Sequence, residues 1–158
     1  MSGSPAFSFL LRLGFGCSGA WGSKWFSERE ASRVLESAYD GGVRCFDTAG
    51  FYAGGEAERR LGMLAKGWRE PVFISTKTGT RYTAAGAEKD FSPAAIRRDI
   101  ETSLMRVGRD CLDLVFLHGP SVDEQMQGLE ALSVLKGEGK IRLAGVCGEG
   151  EGLARAIE

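Results

Sequence analysis

The sequence predicts an α/β fold built on a parallel sheet, and three observations predict it. Short apolar runs alternate with segments of helical periodicity along the chain. One helical segment separates each apolar run from the next, which calls for right-handed crossovers and parallel strands. The apolar runs are continuous rather than alternating, as expected of strands covered on both faces. Read this way, the 158 residues hold five βα units.

Taken in order, an opening strand runs over Leu13 to Cys17. The first clear helix opens at Ser27, whose hydroxyl caps the backbone while Glu30 reaches back from three residues on. Val34, Leu35, Ala38 and Tyr39 form its apolar stripe, and Gly41 and Gly42 stop it. Val43 to Asp47 reads as the second strand. A helix near Glu56 to Lys66 follows, with Ala57, Leu61 and Leu64 on one face. Pro71 to Lys77 is the third strand and Thr78 to Phe91 a longer loop. Ser92-Pro93 supplies a cap with proline at the first helical position, leading the stripe Ile96, Ile100, Leu104 and Val107, which Gly108 closes. Leu112 to Leu117 is the fourth strand. Ser121 and Glu124 form a second capping box before Met126, Leu129, Leu132 and Leu135, with Gly137 and Gly139 as the stop. Ile141 to Val146 is the fifth strand. Glu151 to Glu158 reads as a further helix that reaches the last residue without a C-cap, which predicts a truncated chain or a fragment.

Composition narrows the function. Twenty Lys and Arg against 21 Asp and Glu give a net charge of -1, too little basic field to grip phosphate backbones, so nucleic acid is not an expected partner. No apolar run approaches the roughly 20 residues of a membrane-spanning helix. Met1 to Leu13 lacks the pattern of a secretory leader. The four cysteines, Cys17, Cys45, Cys111 and Cys147, contain no Cys-x-x-Cys pair and suggest neither a zinc site nor a disulfide framework. The expectation is a soluble cytoplasmic protein, residues 1–158 forming one domain with reduced thiols. Cys45 and Cys111 read as core thiols, and Glu58 with Arg59 and Arg60 as solvated helix surface.

Two architectures fit the alternation: an open doubly wound sheet, or a closed (β/α)₈ barrel cut short. Gly14-x-Gly16-Cys17-Ser18-Gly19 matches G-x-G-x-x-G, yet no helix starts before Ser27, whereas a dinucleotide turn runs straight into one. In either architecture the C-terminal strand ends share one side. Asp47, Lys77 and His118 each close a strand and should therefore converge on one rim, with Tyr52 in the loop after Asp47 overhanging it. Each alone has a plainer reading: a cap, a solvated loop lysine, a turn, a core aromatic. Together they explain one another. A lysine closing an apolar strand needs a counter-charge, and Asp47 on the adjacent strand supplies it. An ammonium beside a phenol favours the phenolate, which suits Tyr52 to proton transfer. Trp21 and Trp25 after the first strand, and Arg81 and Tyr82 after the third, either shape a substrate pocket or pack loop against loop.

These residues also resemble a known family. Asp47-Thr48-Ala49-Gly50-Phe51-Tyr52 followed by Gly55-Glu56-Ala57-Glu58-Arg59-Arg60-Leu61-Gly62 is similar to the D-T-A-x-x-Y and G-x-x-E-x-x-L-G signature of the aldo-keto reductase superfamily. Ile74-Ser75-Thr76-Lys77 and Asp113-Leu114-Val115-Phe116-Leu117-His118 resemble its lysine and histidine strands. The resemblance covers about residues 9 to 158 and implies a parallel (β/α)₈ TIM-barrel type fold, here truncated to about five βα units. It implies an NADP(H)-dependent oxidoreductase that interconverts aldehydes or ketones with alcohols, a sugar or other small carbonyl compound being the substrate.

Tyr52 would donate the proton, Lys77 and Asp47 would tune it, and His118 would orient the carbonyl. Gly16, Cys17, Asp47, Cys147 and Gly148 are the implied cofactor contacts, Trp21, Tyr52 and His118 the substrate contacts, and no metal is implied. The chain departs from the family in two ways. A complete barrel takes on the order of 250 residues. At the fifth strand end the family's Gly-Val-Ser-Asn is replaced by Gly145-Val146-Cys147-Gly148, which removes the asparagine amide. The first and fifth strands of an incomplete barrel would be open edges prone to self-association. A catalytically silent half-barrel that needs a partner is therefore the alternative reading.

Overall fold

The computed structural model describes residues 13–23, 25–83, 85–149 and 153. The elements follow the expected alternation. They are β1 (Gly14–Gly16), α1 (Glu28–Asp40), β2 (Cys45–Asp47), α2 (Glu56–Ala65), β3 (Phe73–Thr78), β4 (Thr80–Thr83), β5 (Gly86–Lys89), α3 (Pro93–Val107), β6 (Leu112–His118), α4 (Val122–Gly137) and β7 (Ile141–Cys147). The helix starts obey their capping chemistry. Ser27 accepts from the Glu30 amide while Glu30 accepts from the Ser27 amide, Ser92 accepts from the Ala95 amide with proline at the first turn, and Ser121 and Glu124 form the second reciprocal box. Gly108 ends α3 at φ 70°, a left-handed turn that a side chain would strain. The expected helix at Glu151 to Glu158 lies, except for Leu153, outside the described residues.

β1, β2, β3, β6 and β7 make one parallel sheet in that spatial order. Each strand lies beside its predecessor, so every right-handed crossover steps the same way and places its helix on the same face. The helices then touch in sequence, α1 on α2, α2 on α3 and α3 on α4. A doubly wound sheet would split them between two faces, so that alternative is set aside. Gly19–Gly22 forms a single 3-10 turn, and among the described residues no helix follows until α1, so the G-x-G-x-x-G match is not a dinucleotide turn.

One helix-covered face makes the two sides of the sheet unequal. Phe46, Ile74, Thr76, Val115 and Leu117 point toward the helices and are buried with Leu35, Leu61, Ile96, Ile100, Leu132 and Leu135. The alternate positions Cys45, Asp47, Lys77, Leu114, Phe116, His118 and Cys147 face the other way and keep partial exposure. That second face is covered only in part, since Phe73, Ser75, Leu112 and Ile141 on it are buried as the apolar runs suggested while the positions just named are not.

Several local expectations are corrected. The segment Thr78 to Phe91 is not a plain loop, because β4 and β5 pair antiparallel as a hairpin from Thr80↔Lys89 to Thr83↔Gly86. Val34 and Met126 fall on the outer sides of their helices and are exposed. Cys45 and Cys111 are half-buried, and the enclosed thiol is Cys17. Glu58 and Arg60 are buried rather than solvated.

Candidate active site

Parallel register brings the strand ends together. Asp47 pairs with Ser75, Lys77 with Phe116, and His118 with Cys147, so β2, β3, β6 and β7 finish on one rim. There Lys77 Nζ donates to Asp47 Oδ2 at 2.5 Å and to the Thr48 carbonyl at 2.9 Å, while Ser75 Oγ donates to Asp47 Oδ1 at 2.8 Å. The lysine side chain is only 10% exposed against 41% for the aspartate. Burial disfavours the ammonium, but the hydrogen bond and charge of Asp47 outweigh it, so Lys77 sits above its ordinary value and stays cationic.

Tyr52 is delivered by the turn that joins β2 to α2. The Lys77 ammonium lies 5.0 Å from the centre of its ring. The His118 imidazole stands edge-on to it with ring centres 6.2 Å apart. Burial first, then the cations of Lys77 and Lys89, hold His118 below its usual value, so the imidazole is neutral near pH 7. Its Nδ1 is buried and has no hydrogen-bond partner among the described residues. The four strand-end and turn residues singled out from the sequence are thus neighbours in space.

A cavity of about 630 Å³ opens beside His118, between the hairpin and the β7 end, lined by Phe51, Thr80, Lys89, Cys147 and Gly148 among others. Its size suits a small-molecule ligand. Cys147 reaches this rim, its thiol donating to the Leu117 carbonyl at 3.4 Å and raised chiefly by burial. Gly16 ends β1 with open space where a side chain would stand.

Three residues weighed for the site do not line this cavity. Cys17 is wholly enclosed, and burial pushes its thiol up to about 12. Trp21 turns into the core, its indole donating to the Ala31 carbonyl and its ring under Arg60. Trp25 is 96% exposed and lines no part of the cavity. Conversely, sequence reasoning missed Phe51, which stacks on Tyr82 of the hairpin with ring centres 4.1 Å apart and stands edge-on to His118. Lys89 was missed too, and its ammonium donates to the Gly119 carbonyl at 2.5 Å. Only the unrecognised hairpin could have signalled either. No group of three or more His, Cys, Asp or Glu close enough for a metal ion occurs among the described residues.

The aldo/keto reductase family model matches residues 12–157. The chain belongs to the aldo/keto reductase family. It is 31% identical over 140 residues to the Bacillus subtilis protein named uncharacterized oxidoreductase YqkF, covering 87% of this chain and 44% of that protein. It is 33% identical over 142 residues to the aldo-keto reductase yakc [NADP(+)] of Schizosaccharomyces pombe, covering 85% and 41%. Among solved structures, aldo-keto reductase AKR11C1 from Bacillus halodurans in its holo form superposes with a TM-score of 0.78 at 34% identity, covering 86% of this chain and 45% of that one. The chain therefore spans less than half the length of these relatives. Among the described residues no helix is long and apolar enough to cross a membrane.

Proposed function

We propose that this family member carries the catalytic rim of an NADP(H)-dependent oxidoreductase that interconverts a small aldehyde, ketone or sugar carbonyl with its alcohol. The observation that supports it most is the compact group of Asp47, Lys77, Tyr52 and His118, in which one half-buried ion pair faces a phenol and a neutral imidazole. Tyr52 donates the proton to the carbonyl oxygen. Lys77, fixed by Asp47, holds its ammonium beside the Tyr52 ring, and His118 offers a hydrogen bond to the same oxygen. Charge develops on one atom, and donors already aimed at that atom lower the barrier without reorganising.

The residues present fit the nicotinamide end of the cofactor. His118 and the open rim at Cys147 and Gly148 border one cavity, and Gly16 and Asp47 edge the neighbouring strand ends. NADP(H), when bound, supplies or accepts the hydride. The NADP(+) in the name of the S. pombe relative supports this choice of nucleotide.

The sheet is read as the first five units of a (β/α)₈ barrel, residues 1–158 forming one partial domain. The same-direction crossovers and the half-length match to relatives support that reading. β1 and β7 are then the edges on which the remaining strands, or another chain, would pair.

The test supplies those remaining strands. Residues 1–158 are fused ahead of the complementary C-terminal units of the S. pombe relative, and NADPH oxidation is followed with a simple aromatic aldehyde. Turnover is expected, and Tyr52→Phe should reduce it about 10²- to 10⁴-fold without changing the melting temperature. A folded fusion that leaves NADPH unoxidised contradicts the proposal.

A further inference from the structure

The turn that presents Tyr52 is strained and clamped from outside. After Tyr52 the backbone passes through three consecutive left-handed residues, Ala53 at φ 50°, Gly54 at φ 66° and Gly55 at φ 95°. An alanine there is disfavoured relative to a right-handed conformation, because its Cβ crowds the following carbonyl oxygen. Such a turn persists only where its surroundings hold it.

What holds it is Arg106, near the end of α3. Nη1 donates to the Gly50 carbonyl at 3.2 Å and Nη2 to the Gly54 carbonyl at 3.1 Å, so one guanidinium grips the chain two residues before and two residues after Tyr52. The same Nη1 donates to Glu58 Oε2 at 3.3 Å, and Glu58 is fully buried. The other carboxylate oxygen, Oε1, accepts from Thr76 Oγ1 at 2.7 Å. Thr76 immediately precedes Lys77 in β3. One network therefore ties the phenol's turn to the strand that bears its ammonium.

The fit leaves no slack. A Cβ at Gly55 would stand 2.0 Å from Arg106 Cζ, so the glycine is the space the guanidinium fills. Lysine could not replace this fork, because an ammonium presents no planar pair of donors to two carbonyls and a carboxylate at once.

We propose that Arg106, held by Glu58, is a positioning residue that fixes the Tyr52 phenol beside Lys77. This rests on the reading of Tyr52 as the proton donor. Misplacing a reacting group by about 1 Å can cost about 10²-fold in rate, so the clamp acts on turnover more than on affinity.

The experiment uses the chain itself and needs no turnover. The protein contains three tyrosines, so fluorotyrosine labelling gives three fluorine NMR signals, that of Tyr52 being assigned by its loss in Tyr52→Phe. Lys77→Met should shift the Tyr52 signal and leave that of Tyr39, which stacks on Trp68, in place. On an Arg106→Ala background that Lys77-dependent shift should be lost. On Arg97→Ala, which removes an exposed arginine from the same helix, it should persist.

A folded Arg106→Ala chain that keeps the full shift overturns the proposal. Should Arg106→Ala not fold, Arg106→Lys and Glu58→Gln decide in its place, with the same loss expected and a retained shift overturning it. If Lys77→Met fails to move the Tyr52 signal in the otherwise native chain, the pairing of Tyr52 with Lys77 itself falls, and the clamp with it. In the active fusion, kcat of Arg106→Lys should fall about 10²-fold with KM for NADPH unchanged.

Discussion

The two faces of the sheet show how this chain divides its labour. On the helix side, Phe46, Ile74, Val115 and Leu117 meet apolar partners from α1 to α4 and are almost completely buried. On the other side, Asp47, Lys77 and Cys147 meet polar partners, His118 meets the rings of Phe51 and Tyr52, and all four remain partly exposed. Period-two alternation makes the separation possible, because neighbouring residues of one strand serve opposite faces. Ile74 and Thr76 belong to the stabilising face while Ser75 and Lys77 belong to the rim. The comparison teaches that stability and chemistry can be changed independently at adjacent positions such as Ile74 and Ser75, whereas Thr76 on the helix side reaches the rim through Glu58 and Arg106.

The most forceful way to break that comparison is Ile74→Ala. Its side chain is fully buried, so the change should cost about 2–5 kcal/mol in chemical denaturation, while the fraction that stays folded in the fusion keeps its turnover. A large loss of turnover per folded molecule would mean that the faces are coupled. A smaller effect sharpens the same division. Ser92→Ala removes the cap of α3 and should cost about 1 kcal/mol in thermal melting, with no change in the Tyr52–Lys77 geometry.

The gentlest test uses pH. The chain has one histidine, and the folded state holds His118 below its ordinary value of 6.5, with burial as the first cause. A group whose folded value is depressed binds its proton more weakly folded than unfolded. Its contribution is present above 6.5 and lost as pH falls below it. Melting temperatures between neutral and mildly acid pH should therefore fall further for the native chain than for His118→Gln. Parallel curves for the two would show that burial at the rim has no such effect.

Much of the frame was legible because it is local. Ser27 with Glu30, Ser92 with Pro93, and Gly108 write their helix ends into a few adjacent residues. Asp47, Lys77 and His118 were legible as a group because parallel strands force their C-terminal ends onto one side. The hairpin was not, since Gly86-Ala87-Glu88-Lys89 is exposed and lacks the β-branched and aromatic residues that mark strands. Its pairing depends on the segment it faces.

Nor was the burial of Glu58 and Arg60 legible, because charged residues at helical spacing read as surface. Their partners lie far along the chain: Arg106 for Glu58, and the carbonyls of Trp21 and Phe26 for Arg60. Trp21 misled for the same reason. A tryptophan in the loop after a strand can turn outward to a ligand or inward to the core, and the carbonyl of Ala31 that accepts its indole belongs to the next helix.

The proposed function is carbonyl reduction through Tyr52 on the open face of this sheet. Transfer of deuterium from deuterated NADPH to an aldehyde, read by mass spectrometry of the alcohol, tests it most directly. The fusion bearing the native rim should yield alcohol labelled at the former carbonyl carbon, and Tyr52→Phe almost none. Equal labelling by both, or unlabelled alcohol from the native rim, would contradict the account.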